Sequence, residues 1–147
     1  MEIMANTCYH AIPKQIGKET WWLTVYHDQQ KDLVAFAFID LGVGIFRSSK
    51  MNDLKAKAKE ILGMSDNKEI LKEILAGNKG SRTKIPYRGK GLPTIYLGLE
   101  RNYYSNLHII SKDVKADVSK GEFVTLRSEF NGTFLYWELN NTNRWIP

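Results

Sequence analysis

Apolar positions change their period along this chain. Over residues 1 to about 16, Ile3, Thr7 and Ala11 fall on one line with Met4 and Cys8 beside them, which is the spacing of a helix. Pro13 weakens its last turn. Residues 20–27, TWWLTVYH, are β-branched and aromatic and predict a strand. After the polar turn DQQKD, residues 33–40, LVAFAFID, are nearly all apolar and predict a strand covered on both faces. The short turn between them predicts a hairpin. Helical spacing returns over residues 52–62, at Leu54, Ala58 and Ile61, and over 67–76, at Ile70 and Ile74. Asp66 with Glu69 has the spacing of a capping box, and Gly63 and Gly77 suit helix ends. Residues 78–90 carry five basic side chains and no acid, among glycines, and predict a basic loop. Residues 92 to about 102 predict a helix that accommodates Pro93 in its first turn. Strand-like runs follow at 107–111, 123–127 and 133–139, with Asn131-Gly132 as a hairpin signal between the last two. Helix, two strands, helices and three strands predict an α+β fold: a two-layer α/β sandwich with a mixed or antiparallel sheet and helices on one face.

At 147 residues and 43% hydrophobic side chains, the chain suits one packed domain. Its longest purely apolar run, Leu33 to Ile39, is far shorter than the roughly 20 residues of a membrane span. No signal peptide is read at the start, where Glu2, Asn6 and His10 interrupt the apolar residues. Cys8 is the only cysteine, so no internal disulfide or cysteine-based metal cluster is expected, and a reduced, cytoplasmic setting is. The net charge of +5 suits an anionic ligand without itself indicating nucleic acid.

Three segments carry candidate chemistry. Glu2, Asn6 and His10 share one side of the opening helix, which places a carboxylate one turn from a carboxamide. Such oxygens suit a base and a magnesium ligand, and equally a solvated polar stripe. Asp40-Leu-Gly42-Val-Gly44-Ile45 follows the apolar strand directly. An acid there needs partners, and the glycines permit a sharp turn and close approach of a ligand; a capped strand end is the structural alternative. Arg88-Gly89-Lys90-Gly91-Leu92-Pro93 opens a helix, where exposed N–H groups and the helix dipole favour an anion. By itself this is also the composition of a solvated loop.

Taken in order, the three resemble the ATP-binding domain of the GHKL superfamily, which includes gyrase, histidine kinases, MutL and anti-sigma-factor kinases. EIMANTCYH over residues 2–10 resembles the N box, DLGVGI over 40–45 the G1 box, and RGKGL over 88–92 the G2 box. FNGTFLYWEL over 130–139 resembles the closing strand segment with its Gly-Thr pair. The resemblance implies a single Bergerat-type domain over residues 1–147 whose cofactors are ATP and Mg2+. It implies that Glu2 is the general base and Asn6 the magnesium ligand. Asp40 would accept the adenine amino group, beside Gly42, Gly44 and Ile45. Arg88, Gly89, Lys90, Gly91 and Leu92 would hold the phosphates, Thr133 would help bind adenine, and residues 47–87 would form the ATP lid.

The sequence departs from the family at three places. Tyr87 stands where the first glycine of the G2 box falls, Lys90 occupies a position often hydrophobic, and Tyr9 replaces the Lys or Arg of many histidine kinases. Glu2 points to the ATPase and anti-sigma-kinase branches rather than to histidine kinases. The motif begins at residue 2, without the family's usual preceding helix and strand, so an upstream domain or a protein partner is expected. The implied activity is magnesium-dependent ATP binding with slow hydrolysis or phosphoryl transfer to a protein. The rivals are a nucleotide-gated switch without turnover and, ranked lower, a nucleic-acid-binding module using the basic loop.

Overall fold

The computed structural model describes residues 21–47, 66–80 and 91–144. The helices expected over residues 1–16 and 52–62, and residues 81–90 of the basic loop, lie outside them.

The predicted hairpin forms. β1 (Trp21–Asp28) and β2 (Leu33–Asp40) pair antiparallel from Trp21↔Asp40 to Asp28↔Leu33. Their turn is organised by Asp28, whose Oδ1 accepts the N–H groups of Gln30 and Lys31, at 3.1 and 3.2 Å. A 3-10 turn (Ile45–Arg47) follows β2.

Two helices come next among the described residues: α1 (Asn67–Gly80) and α2 (Gly91–Glu100). Asp66 caps α1 by accepting the Lys68 N–H at 3.0 Å, while Glu69 pairs with Lys72 at 2.9 Å. α2 carries Pro93 in its first turn and ends on Asn102, in the left-handed region at φ 57°. There Tyr103 N–H bonds the Gly98 carbonyl and Asn102 N–H that of Leu99, which is a Schellman closure. None of the described helices is long and apolar enough to cross a membrane.

The last two strands are longer than the sequence pattern suggests. β3 (Ser105–Asp117) and β4 (Glu122–Asn140) form one long antiparallel pair, closed by the turn at residues 118–121. The runs expected at 123–127 and 133–139 are therefore one strand. Asn131-Gly132 is not a hairpin turn but lies inside β4. The freedom that glycine gives to a tight turn is used here for a φ of +124° within a strand. β3 bends at register shifts around Asn106 and on both sides of Lys112, two residues that both have φ 53°. Its far end returns to its start: Val118 N–H donates to the Leu107 carbonyl at 2.9 Å, and Leu107 N–H to the Ser119 hydroxyl at 2.8 Å.

The four strands make one antiparallel sheet in the order β1-β2-β4-β3, so the fold is α+β with two α-helices among the described residues. Register sorts the side chains into rows. Leu23, Phe38, Leu135 and Ile109 share one row, and Val25, Phe36 and Trp137 the next. The rings of Phe36 and Trp137 stack at 5.2 Å. Phe38, Leu135 and Ile109 enter the core with Ile70, Leu71, Ile74 and Leu75 of α1; Leu92, Ile95, Tyr96 and Leu99 of α2 pack against it. The bend in β3 brings Val114, Ala116 and Val118 into the same cluster. α1 thus belongs to the core, although it lies within the stretch expected to serve as the lid.

Candidate functional site

On the core face, one row is different in kind. Trp21 pairs with Asp40, Asp40 with Thr133 and Thr133 with Ser111, so three polar side chains stand where the adjoining row carries Phe38, Leu135 and Ile109. Each polar side chain is two residues from an apolar row-mate on its own strand, which is the strand period at work. Trp21 closes the row at its outer end, its ring stacked on Phe38 at 6.0 Å. Asp40 and Ser111 are buried, at 7% and 1% exposed. Burial of this kind requires partners.

Asp40 finds one locally. Its Oδ1 accepts the Gly42 N–H at 2.7 Å, so the carboxylate shapes the turn that leaves β2. Ser111 bridges two backbones. Its hydroxyl donates to the Gly132 carbonyl at 2.7 Å and accepts the Ile45 N–H at 3.0 Å.

The two glycines at this end are held by contact. A Cβ on Gly44, at φ +70°, would stand 2.6 Å from the Gly132 carbonyl oxygen and 2.9 Å from Ser111 Oγ. A Cβ on Gly132 would stand 1.9 Å from the Asp40 carbonyl oxygen. The turn after β2 and the kink in β4 are therefore pressed against each other, with backbone facing backbone.

Of the residues expected to bind nucleotide, the structure brings Asp40, Gly42, Gly44, Ile45 and Thr133 together at this end of the sheet. Gly91 and Leu92 open α2; Gly91 is buried and Leu92 packs on the core. Glu2, Asn6, Arg88, Gly89 and Lys90 lie outside the described residues. Among the described residues, no group of three or more His, Cys, Asp or Glu side chains could hold a metal ion. Ser111 is the member of the site that sequence reading misses. A serine ending the run LHIIS carries no signal of its own, and only the pairing of β3 with β4 puts it beside Thr133.

A second polar group lies on the opposite face of β3 and β4. Asn106 donates to Glu138 Oε1 at 2.8 Å, Tyr136 donates to the same oxygen, and His108 Nε2 lies 2.8 Å from Asn106 Oδ1. Burial, together with the Glu138 carboxylate, pushes the Tyr136 hydroxyl up to about 12. Every member of this group is satisfied by a neighbour, and it serves to knit the two strands.

No protein-family model matches the chain, and no curated protein matches it either.

Proposed function

We propose that this chain is a magnesium-dependent ATP-binding domain of the GHKL type, a two-layer sandwich whose nucleotide site opens at the Asp40–Thr133 end of the sheet. The observation that carries the reading is the register that sets Asp40 beside Thr133, with Gly132 packed against the Asp40 backbone and Gly44 against Gly132. An acid and a hydroxyl from distant parts of the chain meet in one row, on a face otherwise given to the core. The DxGxG segment and the Gly-Thr pair, read separately in the sequence, become one place.

In this reading the adenine amino group donates to the Asp40 carboxylate, and the Thr133 hydroxyl completes the polar edge of the base. Gly91 and Leu92 open a ten-residue helix whose N-terminal N–H groups favour phosphate, with Arg88, Gly89 and Lys90 before it. Magnesium neutralises phosphate charge when bound, and Asn6 would ligate it. Glu2 would take the proton of an attacking water or hydroxyl. Phosphoryl transfer depends on positioning and charge more than on covalent chemistry, which suits a site built from backbone and a few polar groups.

The test is a thermal-shift titration with ATP and with GTP, each with and without magnesium. ATP at a hundred times its dissociation constant should stabilise the fold by about 2.7 kcal/mol. No shift with ATP, or an equal shift with GTP, would sink the proposal.

A further inference from the structure

Ser111 is not one of the residues to which the resemblance assigns a role, yet it occupies the centre of the site's packing. We infer that Ser111 is a positioning residue: its hydroxyl locks the turn after β2 onto the kink of β4 and so fixes where the ligand-facing groups on those two segments stand. The inference rests on the nucleotide-site reading for its consequence, but not for its geometry.

Four observations lead to it. First, the position is apolar by context. Ile109 precedes it on the same face, and Ser111 itself is 1% exposed, so an aliphatic side chain would suit the surroundings. A hydroxyl in such a place costs free energy unless both its donor and its acceptor are used. Second, both are used, and on backbone: it donates to the Gly132 carbonyl at 2.7 Å and accepts the Ile45 N–H at 3.0 Å. Third, those two backbone groups are the immediate neighbours of ligand-facing positions. Gly132 precedes Thr133, and Ile45 follows Gly44. Fourth, there is no slack between the segments, since a single Cβ on Gly44 would already come within 2.9 Å of Ser111 Oγ. Ser111 therefore joins two distant segments of the chain and acts through both, without itself facing the ligand.

Removing the hydroxyl leaves an N–H and a carbonyl unpaired in the interior. The sheet register should hold, because the strand pairs do not depend on Ser111. The turn should loosen, and ligand affinity should fall with it, because a displacement of about 1 Å in a supporting group is enough to degrade a site.

The experiment compares the parent with Ser111→Ala and Ser111→Thr, using two readouts. One is ATP affinity in magnesium by calorimetry. The other is amide hydrogen exchange of Ile45 by NMR, with Phe38 and Leu135 as references in the sheet. Ser111→Ala should weaken ATP at least tenfold and speed Ile45 exchange at least tenfold, with the reference amides unchanged. Ser111→Thr, which keeps the hydroxyl, should recover both. Parental ATP affinity in Ser111→Ala overturns the inference. So does loss of affinity that comes with faster exchange throughout the sheet and no recovery in Ser111→Thr, since that is the pattern of a merely structural serine. If the parent binds no nucleotide, the ATP reading fails, and Ile45 exchange alone decides: unchanged exchange in Ser111→Ala overturns the lock, and selectively faster exchange upholds it.

Discussion

Gly132 has no room for a side chain. A Cβ there would lie 1.9 Å from the Asp40 carbonyl oxygen, in a backbone conformation at φ +124° that L residues rarely adopt. We expect Gly132→Ala to destabilise the fold by more than about 4 kcal/mol, a size reached only at special backbone sites or in cores, as measured by urea unfolding. Asp40 should behave in the opposite way. Its carboxylate shapes a turn rather than filling the core, so Asp40→Ala should stay folded by circular dichroism while ATP binding is lost. For the same reason the parent should prefer ATP to GTP by at least tenfold, about 1.4 kcal/mol, because guanine offers a carbonyl where adenine offers a donor. Competition binding measures the ratio, and a ratio near one would remove Asp40 from its role. Asp40 and the Gly-Thr pair were legible in the sequence, since an acid ending an apolar strand and a glycine beside a threonine are chemical anomalies. Ser111 was not, because its significance lies wholly in two backbone groups far away in the chain.

The helix α1 shows what periodicity tells and what it omits. Ile70 and Ile74 announced an apolar face, and Asp66 announced the start. What the pattern could not say was where the face packs. Its destination is the core beneath the sheet, where Leu71 is fully buried and Ile70 and Ile74 are each 2% exposed. Leu71→Ala should therefore cost about 2–5 kcal/mol, the usual range for a large-to-small change in a core. The urea midpoint should fall with the slope unchanged. A change below about 0.5 kcal/mol, as expected of an exposed helix position, would mean that α1 is a detachable cover after all. β4 illustrates the converse failure. Residues 128–132 read as a break between two strands, with Asn131-Gly132 as its turn. The chain in fact runs on as one strand, because β3 pairs with it on both sides of that stretch and supplies ladder bonds that no local pattern records.

Across the whole molecule, the burial of tyrosines gives stability a dependence on alkaline pH. Burial raises the Tyr104 hydroxyl, which donates to the Ile95 carbonyl, and raises Tyr136 to about 12. An unfolded chain releases these protons near the ordinary value of 10, while the folded one retains them. Their contribution is therefore complete below pH 10 and declines as pH rises from 10 towards 12. The melting temperature should fall over that interval, and Tyr136→Phe, which cannot ionise, should flatten part of the fall. Asp117 sets the other limit. Burial raises its carboxyl, but the Lys120 ammonium and N–H and the nearby His108 outweigh this and lower it, so its contribution is present above pH 3.8 and lost as acid is added below it. The strand order β1-β2-β4-β3 has a further consequence. Asp40 is made long before Thr133, yet the two are neighbours. A chain emerging from the ribosome carries the first half of the site long before the second. The place where they meet therefore exists only once β4 has inserted between its two neighbours, and any stabilisation by a ligand bound there would begin with that step.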